Sequence, residues 1–374
     1  MLFLFYIFHR RIFKFVLIFS YADRKDILFM KYIIDKDYLL KSFERIINVP
    51  SPVGYFVELN PVLNNMAQEL DLSVSLDNRS TTYITIPGKN PEKTIMVGAH
   101  ADTLGMMIYK IEKDGKLRVR QLGGCNFNNL EGETVYVHTR DGKKYSGLFA
   151  CQSHSVHVFE DARSLDRTES TMVILLDEDV SSKEDVQALG ISNGDYVSVD
   201  PRMQITENGY LKSRFIDDKG AIACCFAAIK YIKDNNLQPT YNVTFAIPYN
   251  EEIGFGGTYL PEGISEYLAI DIGLIGPDLD GNEHSVSICA KDNAAPYDYL
   301  LTNRLIECAK ATNTKYAVDV FFRYGTDANA AMRAGNNIRA AAFGMAVYCS
   351  HGMERTHTDG LIGTTNILLE YLLN

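Results

Sequence analysis

Four apolar segments of the chain, each typical of a buried strand, end in side chains that can bind a metal ion. They are VGAHAD (97–102), IPYNEE (247–252), LAIDIG (268–273) and MAVYCSH (345–351). Apolar strands ordinarily end in turn residues such as glycine, asparagine or serine. Because open α/β sheets place their ligands at the carboxyl ends of strands, we expect these polar groups to meet at one edge of a sheet.

A fifth candidate lies in the segment SRFIDDKGA, where Asp217 and Asp218 directly precede an apolar stretch typical of a helix. Each candidate has an ordinary explanation by itself, since a carboxylate before a helix is usually a cap. A lone histidine is more often a core or surface residue, and a glutamate pair is usually solvated. Together, however, they form the set of imidazole and carboxylate groups that two divalent ions require.

Crowded acids at one sheet edge would cost on the order of several kcal/mol without a cation. Two ions placed close together need a bridging carboxylate, terminal ligands and an open position for a water molecule. A separate carboxylate must then accept the proton of that water. Glu251 and Glu252 can divide these tasks, because neighbouring residues on an extended chain point in different directions.

The pattern of strands predicts two domains in this chain of 374 residues. Between about 109 and 206, short alternating segments such as KLRVRQL, ETVYVHT and KKYSGLFA indicate strands, and an Asp-Gly pair at 141–142 indicates a hairpin turn. We expect a small β-barrel inserted into an α/β domain. The α/β domain then comprises 30–108 and 207–374.

Composition excludes some partners. The 47 acidic against 37 basic residues give a formal charge of −10, which disfavours a nucleic-acid partner. The seven cysteines are scattered and form no C-x-x-C pair. This usage favours free thiols in a reducing compartment, so we expect a cytoplasmic protein.

The N-terminal segment 1–29 is a doubtful extension. Its sequence, MLFLFYIFHRRIFKFVLIFSYADRKD and onward, is apolar but interrupted by charged residues, notably Arg10, Arg11 and Lys14. It fits neither a transmembrane helix nor a signal peptide. We expect the functional protein to begin at Met30, with a membrane anchor or a docking arm as the alternatives. Nothing downstream is expected to span a membrane.

From about Leu39 onward, the sequence resembles metallopeptidase family forty-two, the glutamyl and tetrahedral aminopeptidases. The matching motifs are AHADTLGMMI, FIDDKGA, NEEIGFGG and YGTDA, in the family's order and spacing. The stretch GETVYVHTRDGKKYSGLFACQSHSV resembles the family's inserted barrel. The resemblance implies a zinc-peptidase-like, three-layer α/β/α domain with a mixed sheet and an inserted small β-barrel domain.

The resemblance also implies the metal ligands. Asp217 would bridge two ions, with His100 and Asp271 completing one site. Glu252 and a C-terminal histidine would complete the other. The family usually closes with Arg-Tyr-x-His-Ser, whereas this chain has VYCSHGMERTH, which offers His351 and His357. We favour His351 because it directly follows the apolar strand, and we keep His357 as the alternative.

Two further roles follow from the resemblance. Glu251 would be the general base that takes the proton of a water bridging the ions and returns it to the leaving amine. Asp102 would hold His100 in the correct tautomer, as such partners commonly do. The peptide between Asp217 and Asp218 would be cis.

The resemblance implies a hydrolase: a dinuclear metallo-aminopeptidase that cleaves N-terminal residues from short peptides with a free N-terminus. Two divalent ions per chain are expected, zinc first, with cobalt or manganese as alternatives. One rival is a metal-dependent amidase or deacylase of blocked or non-peptide amides. A metal-free glycosidase using Glu251 would not need His100. A non-catalytic assembly protein is disfavoured by the complete ligand set.

The inserted domain is expected, by the same resemblance, to build a homo-oligomer in which dimers form a hollow tetrahedral dodecamer. We therefore expect protein that begins at Met30 to elute as a dodecamer in size-exclusion chromatography. Protein that begins at Met1 should elute earlier than a monomer but as smaller or mixed assemblies, because the tail would hinder packing. Monomers from both starting points would contradict the expected assembly.

Overall fold

The computed structural model describes residues 30–374. The expectations for segment 1–29 lie outside the described residues. The helices are α1 (Lys36–Ile47), α2 (Leu59–Gln68), α3 (Lys183–Ala188), α4 (Ile216–Asp234), α5 (Tyr299–Ala311), α6 (Asp327–Arg333) and α7 (Thr358–Leu373). Short 3₁₀ turns cover Phe127–Asn129 and Glu251–Ile253.

Among the described residues, eight strands lie between α2 and α3, three lie between α3 and α4, and the rest are interspersed with the later helices. The strands are β1 (Val74–Leu76), β2 (Thr82–Ile86), β3 (Asn90–Gly98), β4 (Gly105–Ile111), β5 (Leu117–Leu122), β6 (Thr134–His138), β7 (Lys144–Cys151), β8 (Met172–Leu176), β9 (Tyr196–Val199), β10 (Gln204–Ile205), β11 (Tyr210–Ser213), β12 (Tyr241–Ile247), β13 (Ile264–Ile270), β14 (Gly273–Leu274), β15 (Val286–Lys291), β16 (Tyr316–Val320), β17 (Arg339–Val347) and β18 (Glu354–His357).

A nine-stranded mixed sheet forms the centre of the larger domain. Its order is β1-β2-β12-β3-β13-β17-β15-β16, with β14 beside β17. The four central strands β12, β3, β13 and β17 are parallel, whereas β2 and β15 run antiparallel to their neighbours β12 and β17. The carboxyl ends of the four central strands therefore lie at one edge of the sheet, as the sequence predicted.

Both faces of this sheet are covered. Alternation along β13 turns Leu268 and Ile270 toward the core that contains α1, α4 and α7, and turns Tyr267 and Ala269 toward the opposite face, which α6 covers. A strand buried on both faces reads as a continuous apolar run, which explains the sequence of the central segments. The arrangement confirms the three-layer α/β/α fold.

Local sequence explains the helices that hold the sheet. Asp35 caps α1, since its carboxylate accepts the N–H of Tyr38 at 2.9 Å. Helix α4 is apolar on nearly every side, from Ala221 to Ile232, because it lies between α1, α7 and the sheet. A helix that is apolar all round is typically buried. Its burial fixes the position of the Asp217–Asp218 pair at its start.

The inserted domain is a closed barrel of six strands in the order β4-β5-β8-β7-β6-β9. Its interior is filled by apolar side chains such as Val119, Val135, Phe149 and Val197. The β6–β7 hairpin turns at the predicted Asp-Gly pair, where Gly142 has a positive φ of 83°. The barrel confirms the inserted β-domain of the expected fold.

A second, three-stranded sheet joins the barrel to the larger domain. Its order is β10-β11-β18, and we call it the small sheet. Ser213 pairs with Glu354 at one end of the β11–β18 ladder, and Tyr210 pairs with His357 at the other. Among residues 30–374, no helix is both long and apolar enough to span a bilayer.

Close packing of β17 against Asp271 generates a prediction about Gly344. A Cβ at Gly344 would lie 2.0 Å from the backbone oxygen of Asp271, and nothing there can rotate away. We expect Gly344→Ala to lower the stability by about 1–3 kcal/mol through overpacking. Thermal unfolding measures the change. The matched control is Gly276→Ala, whose Cβ would meet its nearest atom at 3.7 Å, and equal melting temperatures for both variants would contradict the packing argument.

Candidate metal centre

The strand ends and the start of α4 bring the predicted ligands together. His100 follows β3, Glu251 and Glu252 follow β12, Asp271 follows β13, and His351 follows β17. Asp217 enters this group from α4. All of these side chains except that of His100 line one cleft of about 680 Å³ at the carboxyl edge of the sheet, together with Leu274, Asn293, Phe322, Arg323, Tyr324, Asn329 and Arg333.

Asp217 lies at the centre of the cluster. Its Oδ1 is 3.1 Å from Nε2 of His100, and its Oδ2 is 3.6 Å from Nε2 of His351. The two oxygens of one carboxylate therefore face two different histidines. A carboxylate that binds two ions needs this arrangement, with one oxygen for each.

Two groups of ligand atoms share Asp217. One contains His100, Asp217 and Asp271, and the other contains Asp217, Glu252 and His351, each with its atoms within 4.8 Å of one another. Nε2 of His351 lies 3.5 Å from Oε2 of Glu252. Metal–ligand bonds of about 2.0–2.1 Å place tetrahedral ligands about 3.3–3.4 Å apart. The donor types and their separations fit two divalent ions.

The tautomers of both histidines are set by backbone carbonyls. Nδ1 of His100 lies 3.0 Å from the backbone oxygen of Asp102, and Nδ1 of His351 lies 3.1 Å from the backbone oxygen of Gly124. Because a carbonyl oxygen only accepts, each Nδ1 donates, and in the neutral imidazole each Nε2 keeps its lone pair for a metal ion. Both Nε2 atoms face Asp217. Gly124 belongs to the inserted domain, just after β5.

Asp102 orders the glutamate pair through its side chain. Its Oδ1 accepts the N–H of Glu251 at 3.0 Å, and its Oδ2 accepts the N–H of Glu252 at 3.1 Å. Oδ1 also lies 3.5 Å from Nδ1 of His100. The carboxylate of Asp102 thus fixes the turn from which Glu251 and Glu252 extend. The backbone oxygen of the same residue orients His100.

Sequence reasoning missed Glu354. Its buried carboxylate accepts the N–H of Asp217 at 3.1 Å and the N–H of His351 at 3.1 Å. His351 has a positive φ of 61°, and Glu354 holds its backbone in this conformation. The only sequence signal for this role is the position of Glu354, three residues after the candidate ligand His351. Its contact with Asp217 at the start of α4 depends on the β11–β18 pairing.

Asp218 and Asp327 are two other buried acids to which the sequence assigned no role. Oδ2 of Asp218 accepts the N–H of His100 at 3.2 Å, while its Oδ1 has no hydrogen-bond partner among the described residues. Asp327, from YGTDA, likewise has a buried Oδ1 without a partner in the described chain. The Asp217–Asp218 peptide is cis, as the family resemblance implied.

In the absence of cations, burial and mutual repulsion raise the pKa values of most of the carboxyl groups in the cluster. Burial, with the neighbouring carboxylates, raises the pKa of Glu251 and of Asp271 well above the usual range. Burial and Asp217 raise the pKa of Glu252 to about 8. The pKa of Asp217 is raised by burial but lowered further by His100 and His351, so it ends below its ordinary value.

The same two influences act on the pKa values of the histidines with opposite signs: burial lowers them and the facing carboxylates raise them. Burial lowers the pKa of His351, but Asp217 and Glu252 more than offset this and raise it to about 10. Burial likewise lowers the pKa of His100, and the facing carboxylates, Asp102 and Asp217 foremost, raise it well above its ordinary value. In the absence of divalent ions, bound protons therefore neutralise part of the negative charge of the cluster.

The alternative ligand His357 lies outside this cluster. Its Nδ1 is 3.2 Å from Oδ2 of Asp359, and its Nε2 is 2.7 Å from the backbone oxygen of Asn208. The structure thus brings together the six predicted side chains His100, Asp217, Glu251, Glu252, Asp271 and His351, with Asp102 beneath them.

Comparison with known proteins identifies the relatives of this chain. Residues 80–367 match the model of the M42 glutamyl aminopeptidase family. The "Putative aminopeptidase YhfE" of Bacillus subtilis is 36% identical over 334 residues, which is 89% of this chain and 96% of the relative. The matches confirm the resemblance seen in the motifs.

Solved structures show the same fold. A TET aminopeptidase from a marine sediment archaeon of the Thaumarchaeota superposes with a TM-score of 0.81 at 17% identity, over 90% of this chain and 96% of that chain. The TET1 peptidase of Pyrococcus horikoshii, which can assemble into a tetrahedron or a large octahedral shell, superposes with a TM-score of 0.80 at 21% identity. That superposition covers 90% of this chain and 99% of TET1.

The raised pKa values predict that ion binding releases protons. Near pH 7 the cation-free protein holds protons on Glu252 and His351, whose pKa values are about 8 and about 10, and a cation must displace them. We expect the zinc affinity to fall steadily as the pH is lowered from about 9 to about 6. Calorimetry in buffers of different ionisation enthalpy should detect more than about one proton released per chain at pH 7. An affinity independent of pH would contradict this protonation.

Proposed function

The chain belongs to the M42 glutamyl aminopeptidase family, and on this basis we propose a dinuclear metal-dependent aminopeptidase that removes N-terminal residues from short peptides. It is a peptidase, a hydrolase that acts on peptide bonds. The observation that carries the dinuclear proposal is the carboxylate of Asp217, whose two oxygens face His100 and His351 separately.

The proposed ligands divide into two sets that share Asp217. His100 and Asp271 complete the first set, and Glu252 and His351 complete the second. Two divalent ions held there, with zinc favoured over cobalt or manganese, would supply positive charge that polarises the scissile carbonyl and acidifies water. The set of imidazoles and carboxylates suits such borderline ions.

Glu251 is the proposed general base and acid. Its Oε2 lies 3.8 Å from Nε2 of His100 and borders the cleft, and its own N–H is held by Asp102. Burial raises the pKa of this carboxyl, which favours proton uptake. Glu251 would take one proton from the attacking water molecule, while the oxygen of that water forms a bond to the carbonyl carbon. It would give that proton to the nitrogen as the C–N bond breaks, which frees the N-terminal residue and restores the carboxylate.

The proposed exopeptidase activity rests on the family to which the chain belongs. Phe322 and Tyr324 line the cleft and offer apolar contact to the side chains of a bound peptide. We also propose that the chain acts in the cytoplasm as a homo-oligomer, dimers building to a dodecamer. The likeness to TET1, which can assemble into a tetrahedron or a large octahedral shell, supports that proposal.

Replacement of Glu251 tests the mechanism. We expect Glu251→Gln to lower kcat by about 10²- to 10⁴-fold on aminoacyl-chromogenic substrates, because the amide cannot accept the proton. Zinc content should remain that of the wild type, since Glu251 is not a proposed ligand. The exposed Glu262→Gln is the matched control and should keep full activity.

The same assay separates the rival activities. Full turnover in the Glu251→Gln variant would rule out the proposed general base. A protein that binds two ions per chain but cleaves blocked amides, and no free-amine substrate, would be an amidase instead. Activity that survives removal of metal by EDTA would refute the metal dependence.

A further inference from the structure

A second group of potential ligands lies outside the cleft, at the end of the small sheet opposite to Glu354. Nδ1 of His284 is 2.9 Å from Oδ2 of Asp359, and Nδ1 of His357 is 3.2 Å from the same oxygen. Each of the three residues offers one ligand atom within 4.8 Å of a ligand atom from each of the others. We propose that His284, His357 and Asp359 form an additional binding site for a borderline divalent cation such as zinc, independent of the peptidase centre.

Three separate segments supply these side chains. His284 lies just before β15, His357 ends β18, and Asp359 lies in the first turn of α7. Each segment is fixed by backbone hydrogen bonds, including the N–H of His357 to the oxygen of Glu283 at 3.3 Å. The ligand geometry is therefore held by the fold and does not depend on mobile side chains alone.

The tautomer of His357 leaves a lone pair facing a carboxylate. Its Nε2 lies 2.7 Å from the backbone oxygen of Asn208, so Nε2 must donate and Nδ1 keeps its lone pair. The N–H of Asp359 donates to this Nδ1 at 3.1 Å, as expected for an acceptor. Nδ1 and Oδ2 of Asp359 thus lie 3.2 Å apart as two acceptor atoms. An ion bound to both atoms would relieve their repulsion and would replace the N–H of Asp359 as the partner of the single lone pair on Nδ1.

His284 can adopt the tautomer that a ligand needs. Its Nε2 lies 3.3 Å from the hydroxyl oxygen of Tyr210, which is able to donate or accept. When Nδ1 gives up its proton to bind an ion, Nε2–H can donate to Tyr210. Ligating histidines commonly have such a partner on the other ring nitrogen.

The distances and exposure fit an ion that enters from solvent. Nitrogen–oxygen separations of 2.9 and 3.2 Å approach the 3.3 Å or so expected for tetrahedral zinc ligands. The side chain of His357 is 11% exposed, that of His284 36% and that of Asp359 49%, so water can fill the remaining position. Within residues 30–374, these two histidines are the basic groups at ion-pair distance from Asp359.

A bound ion would fasten β18 to the segment before β15. Along β18, Glu354 lies three residues before His357 and holds the backbone of Asp217 and His351. The ion would therefore stabilise the strand that supports the peptidase centre, without taking part in the reaction. This role does not depend on the aminopeptidase proposal.

Zinc content tests the site. The full chain is dialysed to equilibrium against zinc, and bound metal is measured by mass spectrometry. We expect the His284→Gln/Asp359→Asn double variant to bind one zinc ion fewer per chain than the wild type and to keep wild-type peptidase activity. The exposed His157→Gln variant controls for nonspecific histidine binding and should bind as much zinc as the wild type.

A measurement on the wild type covers the case in which the double variant fails to fold. Crystals soaked in zinc should show an anomalous-scattering peak between Nδ1 of His284, Nδ1 of His357 and Oδ2 of Asp359. Equal zinc content in the folded double variant and the wild type would overturn the proposal. So would a soaked crystal with zinc at the peptidase centre and no peak at these three atoms.

Discussion

Electrostatic repulsion among carboxyl groups at one sheet edge is the constraint on which the rest of this structure depends. Four adjacent parallel strands end there, and each is followed by an ionisable side chain of the cluster. The apolar layers on both faces of the sheet hold these ends in place, so the acids cannot separate. Protons relieve this repulsion, since burial together with the neighbouring carboxylates raises the pKa values of Glu251, Glu252 and Asp271.

Sequence reasoning recovered the features that depend on local pattern. The continuous apolar runs identified the buried strands, and the Asp-Gly pair located the β6–β7 hairpin. Position favoured His351 over the alternative His357, because His351 directly follows the apolar strand β17. In the structure His357 ends a different strand, β18 of the small sheet. The motifs that resemble the family predicted the individual site residues, and the six expected side chains lie together in the structure.

Features that depend on pairing between distant segments were not predictable in this way. Glu354 acts on Asp217 only because β18 pairs with β11, and nothing in the sequence around Glu354 indicates that register. The carboxylate of Asp102 holds the backbone of the glutamate pair, a contact that depends on how β3 and β12 end beside each other. The cluster around Asp359 escaped notice because its members come from segments without a shared motif.

The hydrogen bond from His351 to Gly124 gives the inserted barrel a part in the chemistry. The proton on Nδ1 of His351 is held by a carbonyl of the inserted domain, so the lone pair on Nε2 depends on where that domain lies. The position of the barrel therefore sets the orientation of this imidazole. A displacement of the barrel would turn Nε2 of His351 away from Asp217 and Glu252.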